Sequence, residues 1–226
     1  MKTNVLENTQ AGRTVLQRKT LVALSPVIIV LLGFLAAQVS IKSLGVWAWV
    51  GTLPVYWGMM LAVIMAFGAR SQLAGWFAPS RGGWVWPALA LLVGLSPFPM
   101  LLLPNLSFMR PLVLVVLWLL FALINGVVEE LYWRGFLLNE LRGWPAWGSV
   151  TYTSGLFISI HFLMLGTLTP AMFNLPFLGI LTAITVGLVT LYLRTGSLRW
   201  PVVAHILADL GNLNIFVFMN LIPMAF

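Results

Sequence analysis

Seven stretches of this chain are each about twenty residues long and nearly free of charge, and nothing constrains its fold more. They cover residues 21–41, 46–69, 84–103, 111–128, 149–168, 171–193 and 201–226. Roughly 20 apolar residues in a helix match the hydrocarbon thickness of a bilayer. The runs are long and lack the alternation of barrel strands, so helices are the spanning elements they predict. Composition agrees. Of 226 residues only 8% are charged and 61% are hydrophobic, more apolar surface than a soluble globule of this size can hide. Disorder needs the opposite balance, and the absence of Cys excludes a disulfide scaffold or a thiolate site.

The expected fold is an all-α polytopic bundle of seven spans, or eight if the last run breaks near Asn212–Asn214. Residues 1–20 read as a short cytoplasmic tail and residues 21–226 as a single transmembrane domain. A net charge of +7 would point to nucleic acid in a soluble protein. Here most basic residues flank apolar runs, so the expected contact is with lipid and no nucleic-acid partner is expected. With seven spans, Lys2, Arg13, Arg18, Lys19, Arg70, Arg81, Arg142, Arg194 and Arg199 fall on one side, against only Lys42 and Arg110 on the other. The positive-inside rule then places the N-terminus in the cytoplasm. The lack of Cys and the small size point to a prokaryotic inner membrane. Nothing in the chain specifies an oligomeric state.

Ionisable side chains in hydrocarbon are costly and are read as functional unless they are paired away. Apart from Glu7, the acidic residues are Glu129, Glu130, Glu140 and Asp209, and the histidines are His161 and His205. Three clusters carry all of these but Glu140. In Asn125-Gly-Val-Val-Glu129-Glu130-Leu-Tyr-Trp-Arg134, the i,i+4 spacing pairs Glu130 with Arg134. Glu129 points about 100° away and is left for proton chemistry, unless both glutamates share Arg134 in a structural network. Phe157 and His161 share one helix face, where the ring can wall off a pocket or the imidazole can simply pack. Asp209, four residues after His205, can fix that ring's tautomer or merely satisfy it, and Asn212 lies a turn further along the same stripe.

Arg142-Gly-Trp-Pro145 reads as the turn between the fourth and fifth spans. Glu129 lies about as far before it as His161 lies after it, so an antiparallel hairpin brings the two to one level. A carboxylate beside an imidazole in a poorly solvated cavity suits water activation, and a further donor can hold an oxyanion. There is no G-x-S-x-G and no H-E-x-x-H. Two Glu, two His and one Asp could still ligate zinc, but their spacing over three helices is not diagnostic, and no cofactor is expected.

At these residues the sequence resembles the CPBP family of intramembrane proteases (CAAX proteases and bacteriocin-processing enzymes, also called Abi). The resemblance rests on Glu129-Glu130…Arg134, Phe157…His161 and His205…Asp209 in order, over residues 111–215. It implies an endopeptidase that cuts a membrane-associated peptide or a prenylated protein with a glutamate-activated water. By motif, Glu129 is the implied base, His161 helps to hold the water, and His205 with Asp209 stabilises the oxyanion. Glu130, Arg134, Phe157 and Asn212 support the site. Many relatives have Asn where this chain has Asp209, and an ionised Asp cannot donate to an oxyanion; it would have to be protonated, or orient His205 instead. The rival readings are a non-catalytic self-immunity or scaffold protein of the same family, and a small proton-relay transporter.

Overall fold

A computed structural model describes residues 2–222, with the side chains of 2–15, 70, 71 and 74 outside the described set. Lys2, Glu7, Arg13 and Arg70, which entered the charge reading, are among those side chains. The described residues form helices joined by short turns, with no strand. Helix α1 (Lys2–Leu44) already includes the segment expected as a tail and runs without a break into the first apolar stretch. At Gly45, whose φ is +55°, a 3₁₀ turn folds the chain back into α2 (Ala48–Phe67), which packs against α1.

A short α3 (Arg70–Trp76) leads through a turn to α4 (Val85–Leu95), which continues as π and 3₁₀ turns to Phe108. Then come α5 (Leu112–Glu130), a π-helical segment Leu131–Leu137 and a last turn, α6 (Leu138–Glu140). After the turn at Arg142–Pro145, α7 (Ala146–Ile160) widens into a second π segment, His161–Leu165. A single turn, α8 (Gly166–Leu168), precedes α9 (Leu175–Thr195), α10 (Arg199–Gly211) and α11 (Asn214–Phe218).

Among the described residues, five stretches are long and apolar enough to cross a membrane: Leu16–Phe67, Val85–Phe108, Leu112–Glu140, Ala146–Leu168 and Leu175–Thr195. The first is the α1–α2 pair. The seventh apolar run does not form one long helix, because Leu213, at φ +50°, breaks it into α10 and α11. Outward-facing side chains are apolar: Met65, Leu112 and Leu175 are 79%, 76% and 78% exposed. Such a surface belongs in lipid.

Helix α10 is the centre of the bundle, packed against α4, α5 and α9. Two glycines let it come close. A Cβ on Gly94 of α4 would stand 2.7 Å from the Ala204 carbonyl oxygen, and one on Gly126 of α5 would stand 3.0 Å from the Ile206 backbone nitrogen. Small residues at such crossings are how membrane helices gain packing when lipid is as apolar as their side chains. The close α5–α10 contact carries His205 to the end of α5, where the two glutamates lie.

Candidate active site

Glu129 and Glu130 are the last residues of α5, immediately before the π-helical segment. A π turn is wider than an α turn, and such bulges recur at functional sites because they re-aim side chains within a helix. Both glutamates are buried, at 3% and 0% exposure. They point to different partners. Glu130 Oε1 accepts from Arg134 Nη1 at 2.8 Å and from His205 Nδ1 at 2.7 Å. Glu129 does not pair with Arg134. Its Oε2 lies 3.3 Å from His205 Nε2 and, among the described residues, makes no hydrogen bond.

His205 therefore bridges the pair through its two ring nitrogens. Because the Glu130 carboxylate accepts, Nδ1 carries a hydrogen. The short approach of Nε2 to Glu129 then needs one further proton, on the ring or on the carboxylate. The Tyr56 hydroxyl accepts from Trp133 Nε1 at 3.2 Å and stands beside the Glu129 carboxylate, so its own hydrogen is free for that carboxylate. Nothing in the three motifs pointed to Tyr56. The available signal was a phenol on an apolar run next to Trp57.

His161 begins the second π segment, and its Nδ1 donates to the Phe157 carbonyl at 2.8 Å. That bond selects the tautomer and leaves Nε2 as an acceptor. The Phe157 ring lies between the two imidazoles, its centroid 4.7 Å from that of His161 and 6.1 Å from that of His205. The Arg134 guanidinium stacks on the same ring at 4.4 Å, a cation–π contact in a dry setting.

Asp209 departs from the expected arrangement. Its Oδ2 accepts from Asn125 Nδ2 at 2.9 Å and its Oδ1 from Asn214 Nδ2 at 2.7 Å, while His205 Nε2 is 3.8 Å away. Asn125 is itself held by Trp57 Nε1 at 2.9 Å. Support for the third motif thus comes from Asn125 and Asn214. Asn212, expected to provide it from the same helical stripe, does not: α10 ends at Gly211, and the reversal at Leu213 brings Asn214 to Asp209. The Asn212 side chain instead borders the cavity, and its amide oxygen has no partner among the described residues.

Tyr56, Asn125, Glu129, Phe157, His161, His205, Asp209 and Asn212 line one cavity together with apolar side chains including Met164, Met172, Phe177 and Leu181. It offers about 40 Å³ to water, and one water needs roughly 10–15 Å³ on that measure. A few waters fit. Among the described residues no three His, Asp or Glu side chains are grouped to hold a metal ion.

Residues 111–211 match the family described as Type II CAAX prenyl endopeptidase Rce1-like. The match covers somewhat less than half of the chain. The matched segment runs from the start of α5 to the end of α10 and contains Glu129, Glu130, Arg134, Phe157, His161, His205 and Asp209. Tyr56, Asn212 and Asn214 lie outside it. No curated protein and no solved structure matches the chain. The general role that the match supports is that of a membrane endopeptidase, acting among lipids on a peptide or protein substrate.

Proposed function

We propose that the chain is an intramembrane endopeptidase in which Glu129 activates a water for attack on a peptide bond. The observation that carries this reading is the Glu129 carboxylate, buried and without a hydrogen bond at Oε2, facing a water-sized cavity that two histidines also border. Its Oε2 has the His205 imidazole 3.3 Å away but no hydrogen bond in place, which leaves it open to a water in the cavity. In the proposed step the water's oxygen bonds to the carbonyl carbon and Glu129 takes its proton. His161 Nε2 accepts the water's second hydrogen and so fixes its position. Collapse of the tetrahedral intermediate breaks the C–N bond, and Glu129 returns the proton to the leaving nitrogen. His205, held by Glu130, orients Glu129.

Asp209 is not the oxyanion donor in this reading, since both its oxygens already accept from asparagine amides. It holds the end of α10 through Asn125 and Asn214. The donor is instead Asn212 through Nδ2, on an amide that borders the cavity. Removing one such donor typically costs 10²–10³ in kcat. Asn212→Ala is accordingly expected to lower kcat by about 10²-fold with little change in KM, measured on a quenched membrane peptide in detergent. A rise in KM at unchanged kcat would assign Asn212 to substrate binding instead.

The step uses no metal. Catalytic zinc takes three protein ligands and a water, but here both His205 nitrogens face carboxylates and Asp209 is capped by two amides. That leaves Glu129 and His161 as free donors. Turnover is expected to survive chelators unchanged, whereas loss of activity restored by zinc would overturn this. The proposed substrates are membrane-held peptides or prenylated C-termini. The setting is a prokaryotic cytoplasmic membrane, with seven or eight crossings and the N-terminus inside. The test of the whole reading is a comparison of membrane peptides by mass spectrometry with and without the purified protein. New internal termini are expected, and an unchanged peptide set would refute endopeptidase activity.

A further inference from the structure

We infer that Tyr56 is a positioning residue for the peptidase reaction, which donates its phenolic hydrogen to the Glu129 carboxylate and so holds it in place at the water cavity. This role rests on Glu129 being the base, and it adds to the site a group from outside residues 111–211, the segment that matches the family. Tyr56 lies in α2, is fully buried and lines the same cavity as Glu129.

A phenol has one hydrogen to give, and an indole N–H can only donate. Trp133 Nε1 donates to the Tyr56 oxygen at 3.2 Å, so the hydroxyl is the acceptor in that bond and keeps its own hydrogen for another group. The acceptor beside it is the Glu129 carboxylate. A buried tyrosine hydroxyl usually finds such a partner, and an ionised acceptor makes the stronger kind of hydrogen bond. Trp133 is itself fixed by an edge contact with Phe157, ring centroids 5.7 Å apart. The ring that lies between the two histidines therefore also steadies the residue that aims the phenol.

The next residue of α2 fixes that helix against α5. Trp57 Nε1 donates to Asn125 Oδ1 at 2.9 Å, and the Trp57 ring lies on Phe121 with centroids 5.9 Å apart. Asn125 and Glu129 are one turn apart on α5, so consecutive residues of α2 reach successive turns of the helix that carries the base. From the other side, α10 brings His205 Nε2 to 3.3 Å from Glu129 Oε2. The carboxylate is thus met by α2 and by α10, and a reacting group held from two elements keeps the orientation that catalysis needs. Tyr56 forms and breaks no covalent bond. The water's proton passes to Glu129 and then to the leaving nitrogen, while the phenol keeps its own hydrogen throughout.

The test is Tyr56→Phe in the full chain, purified in detergent and assayed on a quenched membrane peptide. The ring and its packing stay, and only the hydroxyl is lost. From the usual worth of a hydrogen bond to a charged group, kcat is expected to fall about tenfold or more with KM close to wild type. Tyr132→Phe is the control: it removes a buried hydroxyl that pairs with Ser25 Oγ at 2.8 Å, and kcat is expected to stay at the wild-type value. The second readout is infrared and needs no turnover. The carboxyl band that disappears in Glu129→Gln is expected to shift in Tyr56→Phe. An unmoved carboxyl band overturns the inference, and so does an unchanged kcat or a rise in KM alone. Glu129→Gln reads the same contact from its other end, because the phenol remains and its acceptor changes. A tyrosine C–O band is expected to move there, and unmoved tyrosine bands overturn the contact even if Tyr56→Phe does not fold. Failure of Glu129 as the base is a separate result, full turnover in Glu129→Gln, and depends on neither band.

Discussion

Glu129→Gln is expected to lower peptide cleavage by about 10³-fold or more while the protein remains folded. A positioned general base contributes typically 10²–10⁴, and an amide in its place cannot take the proton from water. The substitution preserves side-chain volume, so the cavity and its lining remain. It leaves untouched the bonds that Glu130 makes with Arg134 and His205, which are the ones that tie α5 to α10. The changed atom, Oε2, made no hydrogen bond, so little native stabilisation is lost. The expected signature is a kcat near background, a substrate affinity close to wild type and an unaltered melting temperature. Full turnover in a folded Glu129→Gln protein would remove the base from the mechanism, whatever the rest of the site does.

Much of this site was legible because its short-range parts obey helix spacing. Glu130–Arg134 and Phe157–His161 are four residues apart, and each pair meets in the structure, the second through the backbone carbonyl. The membrane class followed from apolar runs that no soluble core could absorb. The parts that were not legible depend on how helices cross. His205 meets Glu130 because α10 lies close against α5 at Gly126, and a lone glycine in an apolar run does not reveal which helix it admits. The exchange of Asn212 for Asn214 turns on the left-handed conformation at Leu213, a residue type that gives no warning of it. The π segments after Glu130 and at His161 shift every later side chain around the helix, yet neither contains a proline to mark it. Tyr56 comes from the half of the chain that lies outside the family match.

Arg134→Ala is expected to be the most destabilising single change at the site. Arg134 is 2% exposed and Glu130 is not exposed at all, so removing the cation strands a carboxylate in a dry interior with only His205 beside it. Breaking a buried pair from one side typically costs 3–5 kcal/mol, and here the stacking on Phe157 is lost as well. For a chain of this length that corresponds to a fall in melting temperature of roughly 10 °C. The double variant Glu130→Leu/Arg134→Met separates the cost of the stranded charge from any need for the pair itself. Replacing both ions with apolar groups of similar volume is often neutral or stabilising, so the double variant is expected to regain most of the lost stability. It is not expected to regain activity, because His205 Nδ1 then has no carboxylate to hold the ring against Glu129. A single variant as stable as wild type would mean that Glu130 is compensated by a group other than Arg134. A double variant that cleaves at the wild-type rate would mean that His205 does not depend on Glu130 for its orientation.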